Sequence, residues 1–114
     1  MAHTELMPLR PVEFHILLAL ASEERHGYAI LQEVAALTDG GLELEPGTLY
    51  RALHRMLKDG WVAESTRRPA ADLDDERRRY YRLTALGRRI ATAEADRLWR
   101  LVSLARTHRL LSHG

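Results

Sequence analysis

PGTLYRALHRMLKD, residues Pro46 to Asp59, reads as a single amphipathic helix of about four turns. Leu49, Leu53 and Met56 recur at i, i+4 and i+7, with Ala52 and Leu57 beside them, which makes one apolar stripe. Thr48, Arg51, Arg55 and Lys58 are spaced three, four and three residues apart on the other side. Pro46 suits the first turn, where a missing N–H costs nothing, and Gly60 suits the left-handed position beyond the end. A short helix with a hydroxyl near its start and a cation on every later turn can enter a major groove N-terminus first. Arginine there bonds guanine edges bidentately, or phosphates. Taken alone, such a helix is more often just a solvated surface element. Its neighbours decide otherwise.

Upstream, Pro11 opens a helix to about Ser22 after a loose arm, with Val12, His15 or Ile16, Ala19 and Leu20 on its inner face and Phe14, Leu17 and Leu18 adding bulk. A polar break, Glu23-Glu24-Arg25, leads through His26-Gly27-Tyr28 into a second helix to about Leu37. Its stripe is Ile30, Leu31, Val34 and Leu37, and Asp39-Gly40-Gly41 ends it. Leu42 to Glu45 alternates apolar and acidic residues, the pattern of a short strand.

Downstream of Gly60 the period changes to two. Trp61–Arg67 and Arg78–Thr84 read as antiparallel strands joined by a long polar loop. Tyr80 and Tyr81 then face opposite sides of the sheet, so one of them belongs to the core. Three helices followed by a two-stranded hairpin is the order of a winged helix-turn-helix domain, an α+β, mainly α fold. Thr84 is placed to N-cap a last helix running to about Leu111. At 1.5 Å per residue that helix is roughly 40 Å long, too long to be covered by so small a domain. The expected division is a DNA-binding domain over residues 1–83 and a dimerisation helix over 84–114. Leu98, Leu101, Val102 and Ala105 are the residues expected to meet a second copy.

The net charge of +1 conceals an asymmetry. Residues 1–45 carry two arginines against eight acids, whereas 46–114 carry fifteen cations against eight acids. That distribution brings a polyanion to one part of the chain. The absence of cysteine excludes disulfides and thiolate chemistry. No apolar run reaches the roughly 18 residues of a membrane span, so a cytoplasmic location is the default expectation. Six histidines lack a metal-ligand spacing within any one element, and no phosphate loop, nucleophile motif or buried acid pair appears. Neither an enzyme nor a metal or cofactor is expected.

Three motifs carry a family resemblance: HGYAI at 26–30, EPGTLYRALHRMLKDGWV at 45–62 and RRRYYRLTALGRR at 77–89. In this order and spacing they resemble the PadR family of bacterial transcriptional regulators, and the chain length is similar to its short-tailed subgroup. The resemblance implies a homodimeric winged-helix repressor, often of detoxification, efflux or its own gene, released from DNA by a small aromatic ligand. It also implies recognition-helix positions at Thr48, Tyr50, Arg51 and Arg55, a second-helix contact at Tyr28, and wing cations at Arg77, Arg78 and Arg79. Tyr28 could equally serve by packing. Lys58, at the far end of the helix, is placed for phosphate. The loop between the strands departs from the family's short basic wing: it holds Pro69 and the acids Asp72, Asp74, Asp75 and Glu76.

Two recognition helices about a twofold axis meet successive major grooves, so the expected partner is double-stranded DNA carrying an inverted-repeat operator. Trp99 lies on the dimerisation helix, where two indoles can form a slot for a flat aromatic effector; packing against its own domain is the alternative. A winged-helix module that binds protein without binding DNA is the competing reading, and salt-dependent DNA affinity separates the two.

Overall fold

A computed structural model describes residues 7–65 and 79–112. Its elements are α1 (Pro11–Ala21), β1 (Arg25–His26), α2 (Gly27–Leu37), α3 (Pro46–Lys58), β2 (Val62–Glu64), β3 (Tyr80–Leu83) and α4 (Ala85–Thr107). The strands form one antiparallel sheet in the order β1-β3-β2. This is the expected α+β winged helix-turn-helix, mainly helical, with a long last helix.

The core lies where α1, α2 and α3 converge against β3. Ile16, Leu17, Ile30, Val34, Leu49, Ala52 and Leu53 are fully buried there, with Met56, Val62 and Tyr81 nearly so. The apolar stripe of α3 is therefore the centre of the molecule. Tyr81 is the core tyrosine, while Tyr80 is half-buried and meets the His26 ring edge-on at 5.3 Å.

Three helices end in the same way. Beyond α3, the Trp61 amide bonds the Met56 carbonyl at 2.9 Å and the Gly60 amide bonds Leu57 at 3.2 Å, with Gly60 at φ 81°. Asp39 (φ 51°) closes α2 with the same paired bonds, and Arg109 (φ 61°) closes α4. The last helix therefore stops at Thr107, short of Leu111. Its start is tied to the end of α3. The Thr84 hydroxyl accepts from the Gly87 amide at 2.9 Å and donates to the Gly60 carbonyl at 2.6 Å. At Gly87 the α4 backbone passes so close to the Trp61 carbonyl that any β-carbon would collide with it. Glycine is required here by close approach.

The structure corrects three expectations. Leu42–Glu45 is loop: Leu42 and Leu44 pack against the core and the two glutamates face solvent, which gives alternation without a ladder. The third strand is Arg25–His26, paired with Tyr80 and Tyr81, and two polar residues are too few to show a period. Leu37 and Leu18 lie outside the core, at 51% and 41% exposure.

Several cations of the basic half serve the fold. Arg88 bonds the Ala21 carbonyl at 2.9 Å, and with Arg25 on the Ala19 carbonyl it satisfies two of the open carbonyls at the end of α1. Arg97 grips the buried Glu94 with two bonds, at 2.6 and 2.9 Å. The Arg97 hydrogen bonds, with help from the Leu9 backbone amide, hold the Glu94 carboxyl below the usual carboxylate range despite burial, which acts the other way. A lowered folded-state value means that its contribution to stability is present above the ordinary glutamate pKa, about 4.3, and is lost as pH falls through the folded value. Glu94→Gln is therefore expected to melt below wild type at neutral pH, with the two melting curves converging on acidification. A difference that stays constant from neutral to acid pH would rule out ionisation of Glu94 as the cause.

Candidate nucleic-acid interface

The burial of one side of α3 fixes what the other presents. With Leu49, Ala52, Leu53 and Met56 all inward, Arg51, Arg55 and Lys58 are exposed in a row and Thr48 is half-exposed at its head. The Arg51 guanidinium donates to the Thr48 hydroxyl at 3.3 Å, which lays it back along the first turn. Arg55 stands 3.7 Å from Glu13 of α1. Neither Arg51 nor Lys58 has a carboxylate within ion-pair distance among the described residues.

Tyr50 occupies a different place from the cations. Its ring is half-buried and its hydroxyl end abuts Gly27, the first residue of α2, where a side chain would strike it. It sits at the joint between α2 and α3. Tyr28 is 59% exposed in the first turn of α2, with its phenol in the solvent and not packed into the core. The His26 ring nitrogen Nδ1 accepts from the Ala29 amide at 3.1 Å, capping α2 just ahead of Tyr28.

At the root of the wing, Arg79 is about half-exposed and lies 3.7 Å from Glu64 across the strands. Arg77 and Arg78, and the four wing acids, lie outside the described residues. Arg82 is an exposed cation on β3 that the sequence reading passed over. Its signal was available, since with Tyr81 buried its neighbour must face out. Glu13 and His26 were also missed as partners of this surface, because their contacts cross between elements.

The far end of α4 is the second notable surface. Its inward side starts with Gly87, Ile90 and Glu94, all buried, and continues one helical turn at a time into half-buried Leu98, then exposed Leu101 and half-buried Ala105. Beyond the domain, Leu101, Val102 and Leu104 are 50%, 40% and 56% exposed. Trp99 is 61% exposed, and Arg106 stands over its ring at 5.8 Å. Nearer the domain, Phe14, Leu17, Leu18, Leu83, Ala91 and Ala95 line an open apolar groove between α1 and α4, of about 170 Å³. Among the described residues, no helix is long and apolar enough to cross a membrane.

The chain is similar to known proteins in sequence and in fold. The profile of the transcriptional regulator PadR-like family matches residues 16–93. The transcriptional regulator Rv3488 of Mycobacterium tuberculosis is 39% identical over 83 residues, which cover 73% of this chain and 71% of that protein. A transcriptional regulator from Clostridium thermocellum has the same fold, with a TM-score of 0.70 at 23% identity over 95% of this chain and 96% of its own. Bacillus subtilis PadR, solved in complex with operator DNA, superposes with a TM-score of 0.62 at 20% identity, over 78% of this chain and 47% of that one. The family profile spans all of α2, α3 and the sheet and reaches into α4, the identity to a curated regulator extends over most of the chain, and the chain is therefore a member of the PadR-like family of transcriptional regulators.

Proposed function

We propose that this protein is a dimeric, sequence-specific DNA-binding regulator, acting as a ligand-responsive repressor of a detoxification or efflux gene or of its own. The observation that carries the reading is the row Thr48, Arg51, Arg55 and Lys58, exposed on a helix whose other side is wholly core. A helix locked by its own burial presents that row on a fixed backbone. Arg51 reads base edges from the first turns, while Lys58 holds phosphate at the far end. Tyr28 adds a phosphate contact from α2, and Arg77, Arg78 and Arg79 grip the backbone from the wing. The PadR–operator complex of Bacillus subtilis supports the same use of this fold.

Dimerisation follows from α4. The apolar residues Leu98, Leu101, Val102 and Ala105 overhang the domain, and a twofold copy offers both an equal stripe and the α1–α4 groove to cover them. Residues 1–83 then act as the DNA-binding unit and 84–114 as the dimerisation helix. Two α3 helices about 34 Å apart require an inverted-repeat operator. Trp99 and its twofold mate frame a slot for a flat aromatic effector; because Arg106 already covers one side of the indole, the ligand stacks on the other.

The test uses the full chain and a labelled duplex recovered by selection from random-sequence DNA. Affinity is expected to fall steeply between about 50 and 200 mM salt, with a log–log slope of about −0.9 for each phosphate neutralised. In a Trp61→Phe variant, which leaves Trp99 as the one tryptophan, planar aromatic ligands are expected to quench emission and loosen the same duplex. Failure to select or bind any duplex at low salt would favour a protein-interaction module instead.

A further inference from the structure

Of the exposed cations in the recognition row, one is held by the protein itself. Arg55 Nη2 lies 3.7 Å from Glu13 Oε2, whereas Arg51 rests on a hydroxyl. Glu13 is not simply a floating counter-ion. It sits in the first turn of α1, where the helix N-terminus favours negative charge, and its Oε1 accepts from the Arg10 amide at 3.3 Å. Its side chain is only 13% exposed against 46% for Arg55. The carboxylate is thus fixed by α1 whether or not Arg55 stays beside it, and the mobile member of the pair is the arginine.

We propose that Glu13 restrains DNA binding by competing with DNA for Arg55. The proposal rests on the DNA-binding reading above. On arbitrary DNA, Arg55 gains a phosphate only by giving up a carboxylate of the same charge. That exchange is nearly neutral, so one cation per protomer is withheld from sequence-independent attraction. On the operator, base contacts made by Arg51 seat α3 in the groove, and Arg55 is transferred to DNA as part of a larger set of bonds. The pair is given up wherever Arg55 reaches DNA, so its strength is subtracted from the affinity for either duplex. Arg79 and Glu64, also 3.7 Å apart, repeat the arrangement at the wing root, but with both side chains well exposed and the acid less firmly placed.

The experiment compares wild type, Glu13→Gln, Arg55→Ala and the double variant of the full chain, on the selected operator and on a scrambled duplex of equal length. Glutamine keeps an oxygen for the Arg10 amide, so α1 stays capped while the charge is lost; melting curves check this. Glu13→Gln is expected to tighten the operator by about 2- to 5-fold for each Arg55 engaged and the scrambled duplex by no more than that. The scrambled-DNA salt slope should steepen by about 0.9 for each such contact. In the Arg55→Ala background the same substitution should change nothing. Unchanged affinity for both duplexes, or an undiminished effect without Arg55, would reduce Glu13 to one more surface charge and overturn the proposal. Wild type binding neither duplex at low salt would instead defeat the DNA-binding reading itself.

Discussion

A chain ending at Leu98 is expected to sediment as a monomer and to lose nearly all operator affinity. The deletion removes Trp99, Leu101, Val102 and Leu104, each at least 40% exposed in the single chain. None of them contributes to the core formed by α1, α2, α3 and the sheet, and the last buried residue of α4, Glu94, is retained. The winged domain should therefore melt cooperatively at close to the full-length temperature. In the dimer proposed above, what is lost is the surface a second copy covers, and each aliphatic side chain so covered contributes roughly 1.5–3 kcal/mol. Without the link between half-sites the second binding event is no longer intramolecular, and affinity should fall by about 10²- to 10⁴-fold. Sedimentation velocity and anisotropy on the selected duplex measure the two effects separately. A truncated chain that stays dimeric would move the interface onto the winged domain.

Arg51→Ala is expected to weaken operator binding by about 1–3 kcal/mol and to relax base preference at one position in each half-site. The structure sharpens this expectation. Among the described residues Arg51 has no carboxylate to leave behind, and the Thr48 hydroxyl holds its guanidinium in the first turn of α3. Loss of Thr48 support should accordingly reproduce part of the effect. Lys58→Ala, at the opposite end of the row, should weaken operator and scrambled DNA alike and reduce the salt slope by about 1. Selection of binding sites by each variant distinguishes base readout from phosphate contact. An Arg51→Ala protein that selects the same sequence with unchanged affinity would place base recognition elsewhere on the surface, with the exposed Arg82 of β3 the next residue to vary.

Much of this could be read in advance because strong periodicity survives folding. A stripe at i, i+4 and i+7 over three turns of α3 leaves one way to bury the helix, and the burial of Leu49, Leu53 and Met56 then dictates the exposure of Arg51, Arg55 and Lys58. Capping is similarly local: Thr84 and Gly60 act within a few residues, and both do what their chemistry requires. The same logic misled at Leu42–Glu45, where alternation arose from two leucines leaning on the core, and it had nothing to say about the two-residue strand at Arg25. Helix length alone predicted an overhanging end to α4; it did not predict that Trp99 would be left in solvent beneath its own arginine.

The chain by itself determined the order of elements, the core side of most helices and the identity of the exposed cationic row on α3, since these depend on spacing between near neighbours. Only tertiary structure decided which charges remain available. Arg88 and Arg97 look in sequence like members of the basic half, yet one bonds a carbonyl at the end of α1 and the other is committed to the buried Glu94. Tyr50 stands among the α3 cations in sequence, yet its ring is turned into the α2–α3 joint against Gly27. Glu13 lies far from Arg55 along the chain and meets it only because α1 crosses α3. Electrostatic partnership depends on distances of a few ångströms between elements, and no periodicity along the chain encodes those.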